Sequence, residues 1–208
     1  MILESLGFAF ALLAAGSSVP PPRPAPPRAG LSWAESDSLV RKLQALENRR
    51  KAPAKRQETV LVTEGELNSY LNLELAQKLP KGVSDLLVRL ERDRVIASGT
   101  VDLDQVQGRV PSSRLNPLAL LSGRVPVQVQ GRLLNFNGFG AIEWEDIRVS
   151  SVSLPASLLG QLVASSTRDA ENPEGVDIQA PFRLPHACQR LRLEPGRALL
   201  DFDTRRPK

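Results

Sequence analysis

Three stretches of this chain alternate apolar and polar residues over the length of a β-strand and its returning partner. The longest, GRVPVQVQGRLL, places Val125, Val127 and Val129 on one side and Gln128 and Gln130 on the other. Because successive side chains of a strand point to opposite faces, this alternation predicts a sheet with one apolar face and one face in water. Such sheets are commonly antiparallel, and NFNGFG supplies a turn that returns the chain.

Two shorter hairpins bracket the central one, and their sequences resemble each other. LPKGVSDLLVRLERDRVI begins at Leu79 and LPHACQRLRLEPGRAL begins at Leu184, and a two-residue deletion aligns their Arg-Leu-Glu segments. Asp93 and Gly196 stand where the tight turn of each hairpin needs a residue that tolerates a positive φ. The chain is therefore expected to build the same kind of hairpin at two places.

A helix is expected before each of these two hairpins. Thr63 and Glu66 match a capping box in VTEGELNSYLNLELAQKLP, and the pair Leu79-Pro80 ends that helix. Pro155 begins the second helix. The apolar stripes at helical spacing consist of Leu67, Tyr70, Leu71 and Leu75 in the first helix, and of Leu158, Leu159, Leu162 and Val163 in the second.

The returning strand of the central hairpin contains a change of parity. Its apolar positions shift between Trp144 and Ile147, which predicts a β-bulge near Glu145 and Asp146. Because bulges bend sheets, the expected fold is α+β: a curved antiparallel sheet with two helix-plus-hairpin units packed against it.

The segments before this domain differ from it in composition. Residues 6–15 are apolar except for Gly7, a run too short to span a bilayer as a helix but typical of the core of a signal peptide. Six prolines follow between Val19 and Arg28 and predict an extended spacer. The expected organisation is a signal peptide or N-terminal apolar anchor at 1–16, a Pro-rich spacer at 17–30, a basic helix and linker at 31–57, and an α+β ligand-binding-like domain at 58–208.

Basic side chains concentrate at the end of a helix predicted over residues 33–51 and in the linker after it. They are candidates for contact with an anionic surface, where Lys and Arg also complement the helix dipole. An ordinary solvated helix end is the alternative interpretation. These candidates are Arg49, Arg50, Lys51, Lys55 and Arg56.

The composition favours binding over catalysis. Lys and Arg number 27 against 23 Asp and Glu, and the resulting charge of +4 allows only a weak attraction to anionic partners. The few aromatic residues are dispersed, so we expect no nucleic-acid site. The single Cys and single His, Cys188 and His186, exclude a zinc site made of several such ligands in one chain. A catalytic Cys-His pair is the enzymatic alternative to a buried structural Cys.

Asp102 and Asp104 share a strand side in VDLDQ, but no calcium-loop pattern surrounds them. We therefore expect a protein that is not an enzyme and that holds no cofactor and no metal.

The order of three features resembles a family of proteins. The helix VTEGELNSYLN, the Leu-Pro pair and the hairpin LLVRLERDRVIASGTVDLD are similar in arrangement to bacterial envelope proteins of the AsmA-like and tubular lipid-binding (TULIP-like) kind, over roughly residues 58–203. The resemblance implies a helix that lies along a strongly curved antiparallel sheet, with a groove between them that takes acyl chains. A single copy of this size would make only part of a tube, and no catalytic or ligand residue is carried over.

These observations predict a non-enzymatic exported protein, periplasmic or envelope-associated, that binds a lipid-like or apolar ligand in a groove between helices and a curved sheet. The alternative is a structural or interaction module of the envelope that binds a protein or glycan partner, with weak contact to a membrane surface. At the level of the site, the alternative is that the same side chains fill an ordinary core. The candidate groove residues are Leu67, Tyr70, Leu71, Leu75, Val127, Val129, Trp144, Leu158 and Leu162.

Overall fold

The computed structural model describes residues 30–49, 58–79, 81–106, 122–136, 138–168, 173–184 and 188–202. Within these ranges the expected α+β fold is confirmed, because helices accompany a six-stranded antiparallel sheet and a separate three-stranded one. The helices are α1 (Trp33–Arg49), α2 (Glu64–Leu73), α3 (Leu103–Val106) and α4 (Ala156–Ser166), with a 3-10 turn at Ala76–Lys78. The strands are β1 (Glu58–Thr63), β2 (Val83–Glu91), β3 (Arg94–Asp102), β4 (Arg124–Phe136), β5 (Phe139–Val149), β6 (Val152–Ser153), β7 (Phe182–Arg183), β8 (Cys188–Glu194) and β9 (Arg197–Phe202).

The larger sheet has the order β2-β3-β4-β5-β6, and the short strand β7 pairs with the start of β5. The β-bulge expected in its central hairpin is confirmed. Gln130 pairs with Asp146 and Gly131 pairs with Trp144, so Glu145 is an extra residue on β5. The apolar side chains on both sides of the bulge consequently face the same side of the sheet.

A second bulge, which was not predicted from the sequence, interrupts β2 between Ser84 and Leu87. Asp85 lies within it and has a φ of 58°. Asp tolerates this left-handed conformation better than most residues do. Because each bulge bends its strand, the two bulges are consistent with the predicted curvature of the sheet.

The two similar hairpins form as predicted, but they lie in different sheets. The first is β2-β3 of the larger sheet, whereas the second, β8-β9, joins β1 in the order β1-β9-β8. The predicted turn residues are confirmed, with φ values of 56° at Asp93 and 75° at Gly196. The sheets meet at these turns, since Gly196 N donates to Leu90 O at 2.9 Å and Asp93 N donates to Leu193 O at 3.2 Å.

The capping box at the start of α2 is also confirmed. Glu66 N donates to Thr63 Oγ1 at 3.1 Å, and Thr63 N donates to Glu66 Oε2 at 2.9 Å. Lys42 of α1 donates to both oxygens of the same carboxylate at 2.6 Å and to Leu61 O at 2.7 Å. One buried carboxylate therefore caps α2 and holds α1 beside it.

Two clusters of buried apolar side chains form the core. The first is enclosed by α1, α2, the small sheet and one end of the larger sheet, and it includes Leu43, Leu71 and Leu200. The second lies at the other end of the larger sheet, where Val149 and Leu154 are buried and α4 packs against them. The stretch of sheet between the two clusters is where the candidate site lies.

Candidate ligand groove

The apolar face of the larger sheet is less buried along its middle than at its margins. Val88 on β2 is 7% exposed, and Ile147 and Val149 on β5 are each 3% exposed. Between them, every residue of β3 is only partly buried, as are Val127 and Val129 on β4. In a filled core the central strands would be the most enclosed. The partly buried stretch along β3 and β4, whose side chains pack against the edges of the two clusters, is therefore the candidate groove and is called the trough here.

The floor of the trough is built from side chains at alternate positions of the two strands. Pairing places Ala97 beside Val129, and Gly99 beside Val127. At Gly99 a Cβ atom would come within 2.9 Å of Leu86 Cδ2, so the side chain of Leu86 on the β2 bulge lies over this glycine. From Val95 to Val101 the floor spans about 20 Å at the rise of an extended strand.

One wall is formed by α4 and β5. Leu158 and Leu159 of α4 are partly buried and pack against the second cluster. Trp144 packs against both clusters, and its indole Nε1 donates to Ile178 O at 3.1 Å. The ring is therefore held at the junction between the trough and the buried part of the core.

On the other side of the larger sheet, α2 lies along the edge of β2. Asn68 Nδ2 donates to Val88 O at 2.8 Å, and Val88 N donates to Asn68 Oδ1 at 2.7 Å. Glu64 Oε2 accepts from Leu90 N at 2.8 Å, one helical turn earlier. Asn72 Nδ2 donates to Leu86 O at 2.7 Å, one turn later.

This ladder works because two periodicities match. Glu64, Asn68 and Asn72 are spaced four residues apart, which advances about 6 Å along a helix. Two residues of a strand advance about 6.6 Å, so each helical turn meets the next outward-facing backbone group of β2. The helix therefore takes the place of a neighbouring strand and covers an edge that would otherwise be open to pairing.

The structure divides the predicted groove residues into two sets. Those on α2 and just after it, Leu67, Tyr70, Leu71 and Leu75, are buried in the first cluster. Those on the sheet and α4, Val127, Val129, Trp144 and Leu158, are partly buried along the trough. Leu162 lies on α4, but its side chain is outside the described part of the structure. The floor residues Ala97 and Gly99 were not among the candidates, although their alternation on β3 could have indicated them.

The other face of the sheet is charged. Glu145, at the bulge, accepts from Gln130 at 3.0 Å and pairs with Arg94 at 2.9 Å and Arg132 at 3.3 Å. The hydrogen bond from Gln130 and the two guanidinium groups lower the pKa of the Glu145 carboxyl below its usual value. This face is therefore suited to water, whereas the side chains along the trough are apolar.

The Cys-His pair, which is the enzymatic alternative to a structural cysteine, gains no support from the thiol. Cys188 is buried, and burial raises its pKa to about 11, so it is almost entirely protonated at neutral pH. Its Sγ lies 3.1 Å from Arg190 O. His186 lies outside the described residues. This environment is that of a structural cysteine.

The carboxylate of Asp102 accepts hydrogen bonds from neighbouring residues of the chain. Its Oδ2 accepts from Gln105 Nε2 at 2.9 Å, and its Oδ1 accepts from Asp104 N at 3.1 Å. Across the part of the chain that the structure describes, no three His, Cys, Asp or Glu side chains are grouped closely enough to hold a metal ion.

The basic candidates lie at the limit of the structure. Arg49 is the last residue of α1, and Arg50, Lys51, Lys55 and Arg56 fall outside the described ranges, as do the apolar segment 1–16 and nearly all of the spacer 17–30. None of the described helices is long and apolar enough to cross a membrane. Comparison with protein families, curated proteins and solved structures found no match for this chain.

Proposed function

We propose that the protein binds a lipid-like or other apolar ligand along the trough of the larger sheet. The observation that carries this proposal is the burial pattern: apolar side chains on β3 and the middle of β4 stay partly exposed while their neighbours on β2 and β5 are buried. Leaving such a surface in water is unfavourable, and a bound alkyl chain would remove it at about 0.8 kcal/mol for each buried methylene.

The shape of the trough favours an extended ligand. A floor about 20 Å long and one or two strands wide accommodates a single alkyl chain lying along the strands better than a compact molecule. Its described lining is aliphatic apart from Trp144, whose polar atom already donates to Ile178 O. Affinity would then come mainly from burial of apolar surface, and selectivity among chains would be low.

The proposal agrees with the resemblance to AsmA-like and tubular lipid-binding envelope proteins, in which a groove lies between helix and curved sheet. It includes export to the envelope, on the strength of the apolar run at residues 6–15. Recovery of a chain that lacks these residues from the exported fraction would support export, and recovery of the intact chain only from the cytoplasm would refute it.

A pair of neighbouring substitutions tests the binding surface. Val127→Lys places a charge on the trough floor, and Gln128→Lys places the same charge on the opposite face of β4. Both positions are accessible to water, so both variants should fold. We expect Val127→Lys to abolish binding of a fluorescent fatty acid and Gln128→Lys to leave it unchanged. Equal binding by the two folded variants would refute the trough as the site.

The alternative, an envelope module that captures a protein or glycan, predicts a different result. Such a module would bind its partner stoichiometrically and would carry no lipid, so the original chain and both variants would all fail to bind the fluorescent fatty acid.

A further inference from the structure

A second apolar surface lies at the tip of the β4-β5 hairpin, on the face of the sheet opposite the trough. Leu134, Phe136 and Phe139 are 42%, 46% and 36% exposed, and they are three of the five large apolar side chains exposed in the described chain. The tip extends beyond β3, whose pairing with β4 ends at Arg132. The backbone of the tip is held by β7 and by β8, since Leu184 N donates to Gly138 O at 2.9 Å and Leu191 N donates to Asn135 Oδ1 at 3.0 Å. The apolar side chains of the tip are nevertheless exposed on the outer face.

The side chains on this face change in character along the hairpin. The pair Arg132 and Glu143 is charged, the next pair on the same face is Leu134 and Ala141, and the pair at the end is Phe136 and Phe139. The two rings stack with their centroids 6.1 Å apart. The polarity of this face therefore decreases towards the tip.

A cation stands beside the rings. Arg183 on β7 pairs with Phe139 in the sheet, and its guanidinium lies 5.6 Å from the centre of the Phe139 ring. Arg183 is exposed and forms no ion pair with any other described residue. Its charge is therefore available to a ligand that reaches the tip.

We propose that this tip docks on the surface of an anionic lipid bilayer. The two Phe rings and Leu134 would enter the boundary between headgroups and acyl chains, while Arg183 contacts lipid phosphates. Exposed rings with a cation beside them complement the apolar boundary and the anionic headgroups of such a layer. The tip lies on the opposite face of the sheet from the trough, so this inference does not depend on the proposed ligand.

Two leucines on this face provide a matched experiment. Leu134 at the tip and Leu87 on β2 are 42% and 41% exposed, and Cys188 is 1% exposed with a raised thiol pKa, so a cysteine introduced at either leucine can be labelled selectively. In the full chain, Leu134→Cys or Leu87→Cys would be labelled at the new cysteine with an environment-sensitive fluorophore. Each labelled protein would then be mixed with vesicles of phosphatidylglycerol and phosphatidylcholine. We expect a blue shift at position 134 and none at position 87. The absence of a shift at 134, or equal shifts at both positions, would overturn the proposal.

Measurements of vesicle affinity separate the apolar contribution of the Phe rings from the electrostatic contribution of Arg183. We expect F136S/F139S to weaken binding to the same vesicles by about 30-fold, since somewhat under half of each ring is available for burial. Arg183→Ala should weaken binding about 5-fold on anionic vesicles and leave binding to pure phosphatidylcholine unchanged. Arg183→Lys should restore most of the loss. If these variants bind vesicles like the original protein but lose self-association or capture of a protein, the tip is a protein-binding surface and the lipid proposal is wrong.

Discussion

The hydrogen bonds between Asn68 and the edge of β2 should be worth several kcal/mol of stability. In Asn68→Ala, the N–H and C=O of Val88 both lose their side-chain partner. Asn68 and Val88 are 6% and 7% exposed, so water does not readily replace the amide. A buried polar group left unpaired costs about 1–3 kcal/mol, so the two groups together cost about 2–6 kcal/mol.

A smaller opposing effect must be subtracted. Ala is favoured over Asn inside a helix by about 0.6 kcal/mol. We therefore expect Asn68→Ala to lower the free energy of unfolding by about 1.5–5 kcal/mol, measured by urea denaturation with the slope of the transition unchanged. This loss is large compared with the total stability of about 5–15 kcal/mol that is typical of domains.

Asn72→Ala is the matched control for this effect. Asn72 donates to Leu86 O from a half-buried position, so its loss leaves one β2 group unpaired and lets water approach it. We expect a cost of about 1 kcal/mol. If Asn68→Ala costs no more than Asn72→Ala, the ladder along β2 does not carry the stability that we assign to it.

Three further predictions concern the trough, the capping carboxylate and the cysteine. Ala97→Phe should block fatty-acid binding and change the free energy of unfolding by less than about 0.5 kcal/mol. Ser98→Phe, on the other face of β3, is the control. A decrease of about 1–3 kcal/mol in the free energy of unfolding of Ala97→Phe would mean that other side chains already fill the floor of the trough. Burial raises the pKa of Glu66, but hydrogen bonds from Lys42, Ser38 and the Thr63 amide lower it by more, so the folded pKa lies below the ordinary 4.5. The stability that the ionised Glu66 carboxylate contributes should therefore be complete above pH 4.5 and be lost as the pH decreases through its pKa in the folded protein. Lys42→Met should reduce this loss of stability at low pH. An identical dependence of stability on pH in the variant would show that Lys42 does not lower the pKa of Glu66. Cys188 should react with a thiol reagent only after unfolding, and rapid reaction of the folded protein would exclude a buried, protonated thiol.

The features that could be predicted from the sequence are those decided by a few neighbouring residues. The capping box needs only Thr63 and Glu66, and the tight turns need only a residue such as Asp93 or Gly196 that accepts a positive φ. The bulge at Glu145 shows as a change of parity within a single strand. Each of these can be identified without knowing what the segment packs against.

The arrangement of the two sheets depends on pairing between distant segments. β1 pairs with β9 across most of the chain, and the alternation of either strand is equally compatible with many other partners. Because β9 pairs with β1, the second hairpin belongs to the smaller sheet. Helix α4, which precedes this hairpin in the chain, packs against β5 of the larger sheet.

The division of the candidate groove residues has the same origin. An apolar stripe predicts that a side chain avoids water but not whether another side chain or a ligand covers it. Leu71 is buried in the first cluster, whereas Val129 is only partly buried at the edge of the second. The sequence shows three polar residues at helical spacing, Glu64, Asn68 and Asn72. Their role as partners of the β2 backbone could be recognised only once the position of the β2 edge was known.

The most direct test of ligand binding is native mass spectrometry of the full chain purified without detergent from its own source, before and after solvent extraction. We predict an additional mass of a single lipid-like molecule that extraction removes, and its absence from Ala97→Phe purified in the same way. A protein that carries only its own mass, in both the original chain and the variant, would contradict the proposal that the trough holds an apolar ligand.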